Sequence, residues 1–273
     1  MDLLMAIVLG VVQGLTEPLP ISSSGHLILV PWLLHWPEHT LTFDVALHGG
    51  TALAIVIYFW NDWVALAGAL VASLRDRDFT GDQHRRLVWY IAIASVPAAL
   101  VGVLFEEKIE RLLRAPGLVA VLLIAMGIVM LLADRISSRS RSLAQLTLQD
   151  ALTIGIAQAL ALLPGVSRSG VTITAALLLR MTRADAARFS FLMSGPIVTG
   201  AFAYKMVGLL RDGLPSEEVA PFIAGVTVAA VVGYAAISFL LGYLQKRSLG
   251  LFVFYRLAFG AFALGIIILG GAA

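Results

Sequence analysis

GVVQGLTEPLPISSSG, residues 10–25, and GIAQALALLPGVSRSG, residues 155–170, lie over one another when one residue is dropped before the Leu-Pro pair and one is added after it. The match resumes after a similar gap, with FDVALHGG at 43–50 against FSFLMSGP at 189–196, so one unit occurs twice, offset by about 145 residues. The apolar runs on either side of the two stretches, 3–15 with 27–34 and 151–163 with 171–179, are all short. A bilayer core of about 30 Å needs roughly 20 apolar residues. At about 1.5 Å per residue each of these runs reaches only the midplane. Each pair therefore predicts a re-entrant helical hairpin with its polar tip buried among other helices, where lipid cannot meet its backbone groups.

Composition places the rest. Of 273 residues, 59% are apolar and 13% charged, and the mean hydropathy is +0.92, against roughly 25% charged residues in a soluble domain. Repeated Ala- and Leu-rich runs favour helices over a barrel's alternation. The expected fold is all-α: a single polytopic membrane helical bundle over residues 1–273. Its inverted-topology repeat (about 1–134 and 148–273) has two re-entrant hairpins and six full spans near 41–60, 87–105, 117–133, 189–209, 219–243 and 250–271. The net charge of +2 comes from basic residues in loops, so no nucleic acid is implied, and the absence of cysteine excludes disulfides, thiolate metal sites and Cys nucleophiles. The acidic start MDLLMAIVLG reads as mature sequence rather than a signal peptide.

Three spans, an odd number, separate the hairpins, so the second enters from the opposite side to the first. That architecture places a site at the midplane between broken helices. The loops RDRDFTGDQHRR (75–86), DRISSRSRS (134–142) and RMTRADAAR (180–188), with Lys246 and Arg247, fall on one side, cytoplasmic by the positive-inside rule. The run 63–74 must then lie along that interface or dip partway in, and both termini face outward.

At the first tip Pro18 and Pro20 end the incoming helix near Glu17, because residues before proline avoid the α conformation. Ser22, Ser23 and Ser24 suit the cap of the outgoing half-helix, whose N–H groups attract anions. The second tip repeats this, with a break at Pro164 and Gly165 and a start at Ser167, Arg168 and Ser169. An Arg fork flanked by hydroxyls and open amides matches phosphate oxygens; serines that only cap, and an Arg168 that only pairs Glu17, are the alternative. Gln13 and Glu17, four apart on one helical face, can hold a divalent cation (Mg2+ or Ca2+, with Glu17 as ligand), position a water or orient His26. His26 shares a face with Ser22 or Ser23, and spacing does not choose between them. A lone histidine is often a satisfied core residue, but Glu, Ser and His at one buried tip are the parts that activate a hydroxyl.

The remaining polar residues carry less. His48, beside Gly49 and Gly50, lines the cavity or packs a helix, and Asp44 starts a span near the headgroups. Arg256 is expected to be buried, in an ion pair or on substrate. Lys205 snorkels, and His35, His39 and His84 are interfacial.

Together, Gln13-x-x-x-Glu17 followed by PISSSGH and PGVSRSGVT at 164–172, with FDVALHGGTALA and the FxxYR pattern at 252–256, resemble the undecaprenyl pyrophosphate phosphatases of the BacA type, bacterial membrane enzymes that recycle the lipid carrier for cell-wall synthesis. The resemblance runs through nearly the whole chain. It implies removal of the terminal phosphate of a C55 polyprenyl diphosphate in the plasma (inner) membrane, with the active site open to the outer, periplasmic face. Matched by position, Glu17 is the family's second acidic residue, Ser23 its proposed nucleophile and His26 its essential histidine. Ser167, Arg168 and Thr172 fall in its phosphate-binding segment. Gln13 stands where many members carry glutamate, which weakens a metal site, and Ser24 stands where threonine is also seen.

On this reading Glu17, Ser23, His26 and Arg168 are catalytic, and Gln13, Ser22, Ser24, Ser167, Ser169 and Thr172 bind the substrate's phosphates. The partners are a polyprenyl diphosphate and membrane lipid, with no organic cofactor and room for a homodimer. The rival class is a transporter, a polyprenyl-phosphate flippase or other anion carrier, built on the same repeat. It needs Arg168 and the helix ends but not a grouped Glu, Ser and His.

Overall fold

The structure is a computed structural model that describes residues 2–37, 40–213 and 215–270, and within them all side chains but those of 41, 106–112, 205 and 208–212. The expectations for His39 and for the Lys205 side chain lie outside the described residues. Eleven helices carry the described chain, and no strand occurs among these residues.

Proline writes the first break. α1 (Leu3–Thr16) stops ahead of Pro18 and Pro20, a turn follows, and α2 (Ser23–Leu33) restarts. α3 (Leu41–Tyr58), capped by Thr40, meets α4 (Trp60–Asp76) at Phe59 with a bend of 78°. α5 (Gln83–Leu113) starts on an Asp82 cap, and α6 (Pro116–Ile136) on a proline in its first turn. The second broken pair is α7 (Leu148–Ala159), which tightens to a 3-10 turn over Leu160–Leu162, and α8 (Arg168–Leu178). α9 (Arg183–Asp212), α10 (Ser216–Leu244) and α11 (Gly250–Leu269) complete the chain.

Among the described residues four helices are long and apolar enough to cross a membrane, within α5, α6, α10 and α11, or five if the bent α3–α4 pair is one span. The chain is a multi-pass helical membrane protein. The expected span at 189–209 falls within α9, which is helical but is not among these four; the side chains of 205, 208 and 209 lie outside the described residues. The run expected at 63–74 is the body of α4.

The packing crosses between the halves. α1 lies along α10 and α7 along α5; α3 meets both α9 and α10; α2 and α8 both rest on α6, which pairs with α11. Glycine permits the closest approaches. A Cβ at Gly10 would lie 2.7 Å from the Gly225 carbonyl oxygen on α10, and one at Gly155, the matching position of the second unit, 2.4 Å from that of Ala94 on α5. Small residues at such crossings let backbones touch, which supplies the dispersion contact that lipid does not drive hydrophobically. Gly155→Val should therefore force α7 off α5 and cost about 1–3 kcal/mol, read as a lower thermal midpoint in detergent. Gly68→Ala, where a Cβ meets nothing within 4 Å, should leave the midpoint unchanged.

At one end the polar loops tie the helices together. Arg183 grips Asp134 through two nitrogens at 2.6 and 3.1 Å, Arg141 pairs with Asp150 and donates to the Leu179 carbonyl, and Arg188 reaches Asp62. The Arg-bearing segments at 134–142 and 180–188 thus meet one another and the start of α4.

Candidate active site

Both tips are built alike. Ser22 and Ser167 cap α2 and α8 with φ of 76° and 78°, a left-handed conformation that non-glycine residues seldom take. Each hydroxyl accepts from a backbone N–H three residues on, Gly25 at 3.3 Å and Gly170 at 3.1 Å. The remaining first-turn amides are the positive ends of two half-helices. The tips touch: Ser169 Oγ donates to the Leu19 carbonyl at 3.1 Å, and a Cβ on Gly25 would lie 3.4 Å from Gly165 Cα.

Glu17 is the centre. Its Oε1 accepts from Arg168 Nη2 at 2.7 Å, and its Oε2 accepts a short hydrogen bond from Ser23 Oγ. Gln13 Nε2 lies 3.5 Å from the same Oε2 and 3.4 Å from Thr51 Oγ1. His48 Nε2 stands 3.6 Å from Glu17 Oε2, and its Nδ1 is directed to the Asp44 carbonyl at 2.8 Å. A carboxylate, a hydroxyl and a guanidinium from helix ends about 150 residues apart thus form one buried cluster. Two of its atoms, Arg168 Nη1 and Gln13 Oε1, are buried without a hydrogen-bond partner. Such orphans are uncommon in native interiors, and a water, an ion or a ligand is what would satisfy them.

His26 is placed otherwise. Its Nδ1 donates to the Ser22 carbonyl at 2.7 Å, and its Nε2 meets the Tyr255 hydroxyl, also at 2.7 Å, while Phe259 stacks on the ring at 4.6 Å between centroids. With the carbonyl fixing the proton on Nδ1, Nε2 accepts from Tyr255. Of the two serines that spacing left open, His26 engages Ser22, and through backbone; neither ring nitrogen reaches Ser23 or Glu17. Ser24 contacts the Ser22 hydroxyl at 3.3 Å, and Ser167 likewise contacts Ser169. Thr172 is fully buried, its hydroxyl donating to the Arg168 carbonyl at 2.8 Å and lying 2.7 Å from Ser190 Oγ. It braces the first turn of α8.

A family model described as Bacitracin resistance protein BacA matches residues 6–262. The chain belongs to this family. Relatives named undecaprenyl-diphosphatase include that of Pelobacter propionicus, 52% identical over 271 residues and 99% of both chains. That of Geotalea daltonii is 51% identical over 99% of this chain and all of its own, and that of Moorella thermoacetica 50% identical over 97% and 98%. Every residue of the Glu17 cluster lies inside the matched family region.

Sequence reasoning undervalued His48 and missed Thr51 and Tyr255. The signal for the first was its place beside the repeat's matching point. For Tyr255 it was adjacency to Arg256 in the FYR stretch. Arg256, expected in an ion pair or on substrate, instead donates to four carbonyls, three of them left without helical partners by the breaks at the tips and one, that of Leu123, within α6.

Proposed function

We propose that this protein removes the terminal phosphate of undecaprenyl diphosphate, giving the monophosphate and inorganic phosphate. The observation that carries the reading is the Ser23–Glu17–Arg168 cluster: a hydroxyl on a carboxylate, beside a guanidinium with one nitrogen free for an anion. The names of relatives at about half identity over full length support the same substrate.

The membrane frame is part of the proposal. Six spans and two re-entrant hairpins related by an inverted repeat would seat the cluster at midplane in the plasma membrane. The clustered Arg loops would mark the cytoplasmic end, and the site would open outward. The exchange of α1 onto α10 and α7 onto α5 supports such a repeat.

In the mechanism the polyprenyl tail stays in lipid and the diphosphate enters between the half-helix N-termini. Ser23 Oγ attacks the terminal phosphorus and passes its proton to Glu17. The bond from phosphorus to the bridging oxygen breaks, and the prenyl monophosphate leaves. Arg168 and the tip amides stabilise charge on the transferring group, the main source of acceleration in phosphoryl transfer. Water then cleaves the phosphoserine. His26 holds the Ser22 carbonyl and so fixes the turn that carries Ser23.

Among the described residues no cluster of three His, Cys, Asp or Glu forms a protein cage for a metal. Mg2+ commonly takes one or two carboxylates plus phosphate oxygens; a cation shared with substrate would have Glu17 and the orphaned Gln13 Oε1 as the protein's part, and Glu17 would have to release Arg168 or Ser23 to reach it. When bound, the ion would neutralise diphosphate charge. EDTA is expected to lower phosphate release at least about tenfold, with Mg2+ or Ca2+ restoring it; indifference to EDTA removes the cation from the proposal. The function itself is tested by phosphate release from a short prenyl diphosphate in detergent. Binding with no release favours a carrier.

A further inference from the structure

Arg256 is fully buried in α11, and all three of its guanidinium nitrogens are used. Nε donates to the Leu123 carbonyl of α6 at 3.1 Å, and Nη1 to that of Pro20 in the first tip at 3.2 Å. Nη2 donates to those of Gly165 and Val166 in the second tip at 2.7 and 3.2 Å. Three of the four acceptors, Pro20, Gly165 and Val166, are backbone carbonyls at the two helix breaks; the fourth, Leu123, lies within α6. No ion pair found among the described residues includes this cation. Next to it, Tyr255 donates its hydroxyl to His26, which in turn holds the Ser22 carbonyl. One dipeptide of the last helix thus grips the loop before Ser23 and the loop before Arg168.

We propose that Arg256, assisted by Tyr255, is a positioning residue that sets the two half-helix N-termini in the register a diphosphate headgroup requires, and that its uncompensated charge favours the anion there. The inference rests on the function proposed above, since it names what holds that site's anion cradle. A guanidinium fits the task because its rigid fork can serve carbonyls from three segments at once, where an ammonium is a point charge. Arg168 is already balanced by Glu17, whereas Arg256 meets only carbonyl dipoles, so a diphosphate at the tips is the anion that offsets it. A purely structural clamp would matter for folding alone. A positioning clamp also changes how tightly the folded protein holds phosphate oxygens.

The test uses full-length protein in detergent, scored on its folded fraction, with inorganic pyrophosphate as the binding probe and KM for a prenyl diphosphate as the second measure. Arg256→Met is expected to weaken pyrophosphate binding and raise KM in step, by at least about tenfold, the scale of a charge-assisted hydrogen bond lost at the cradle. Tyr255→Phe should move both in the same direction by a smaller factor. Arg256→Lys, which keeps the charge but cannot span four carbonyls, should fall between wild type and Arg256→Met. Folded Arg256→Met with wild-type Kd and KM, its lower activity traced to a smaller folded fraction, overturns the proposal. If Arg256→Met yields no folded protein, Arg256→Lys decides by the same comparison. Wild type that binds pyrophosphate but releases no phosphate from the prenyl diphosphate sinks the proposed function and leaves the Kd series to decide this inference. Wild type that binds no pyrophosphate but releases phosphate from the prenyl diphosphate leaves the KM series to decide, and wild type that does neither ends both.

Discussion

Arg168→Ala is expected to lower kcat/KM for a prenyl diphosphate by at least about a thousandfold, with the protein still folded. Three decades correspond to about 4 kcal/mol of transition-state stabilisation. On the proposed mechanism the guanidinium would supply this: one nitrogen is held by Glu17 at 2.7 Å while the other is buried and unpartnered, and would meet the transferring phosphoryl group. Guanidinium groups in this role contribute about 10³–10⁵ in kcat. Its loss also leaves the buried Glu17 carboxylate without its cation, which would disturb the proposed acceptor of the Ser23 proton. Arg168→Lys keeps a charge but not the fork, so it should recover only part of the loss. A folded Arg168→Ala enzyme within tenfold of wild type would mean that the phosphoryl charge is stabilised elsewhere.

The same arginine shows how much of the site could be read from the chain. Caps are local events: Ser22 and Ser167 stand where proline breaks one helix and serine starts the next, so sequence locates both half-helix starts closely. Pairing across the repeat is not local. That Arg168 meets Glu17 follows once two polar tips must share one buried space, and this was legible from the runs that are too short to span. Partners more than 200 residues apart, such as His26 and Tyr255, leave no trace in helical periodicity, which reports which face a residue occupies and not what lies opposite. The 78° bend between α3 and α4 falls at Phe59 without a proline or glycine at the break, so local sequence did not mark it; the crossing count did, by requiring 63–74 to turn along the interface after the span at 41–60. Arg256 misled for another reason. A buried charge suggests a carboxylate, yet here the broken tips offer enough carbonyls to take its place.

Ser23→Ala is expected to lower turnover at least about a thousandfold, and wild-type enzyme quenched in acid during turnover should carry phosphate on Ser23, detected by mass spectrometry. Ser23 begins α2, its hydroxyl donates to Glu17, and its own amide belongs to the positive end of that half-helix, the kind of end that favours anions. On the proposed mechanism the nucleophilic hydroxyl, its proton acceptor Glu17 and an anion-binding helix end would meet at this residue. Glu17→Gln preserves the shape of the side chain but not a proton acceptor, so it should cost nearly as much. If the two act as one unit, the double variant should be little worse than either single change, as is usual where catalytic groups operate together. Roughly additive losses would assign them separate tasks. A Ser23→Ala enzyme retaining a tenth or more of the wild-type rate would instead give the attack to a water held by Glu17, with Ser23 reduced to a ligand for the phosphate.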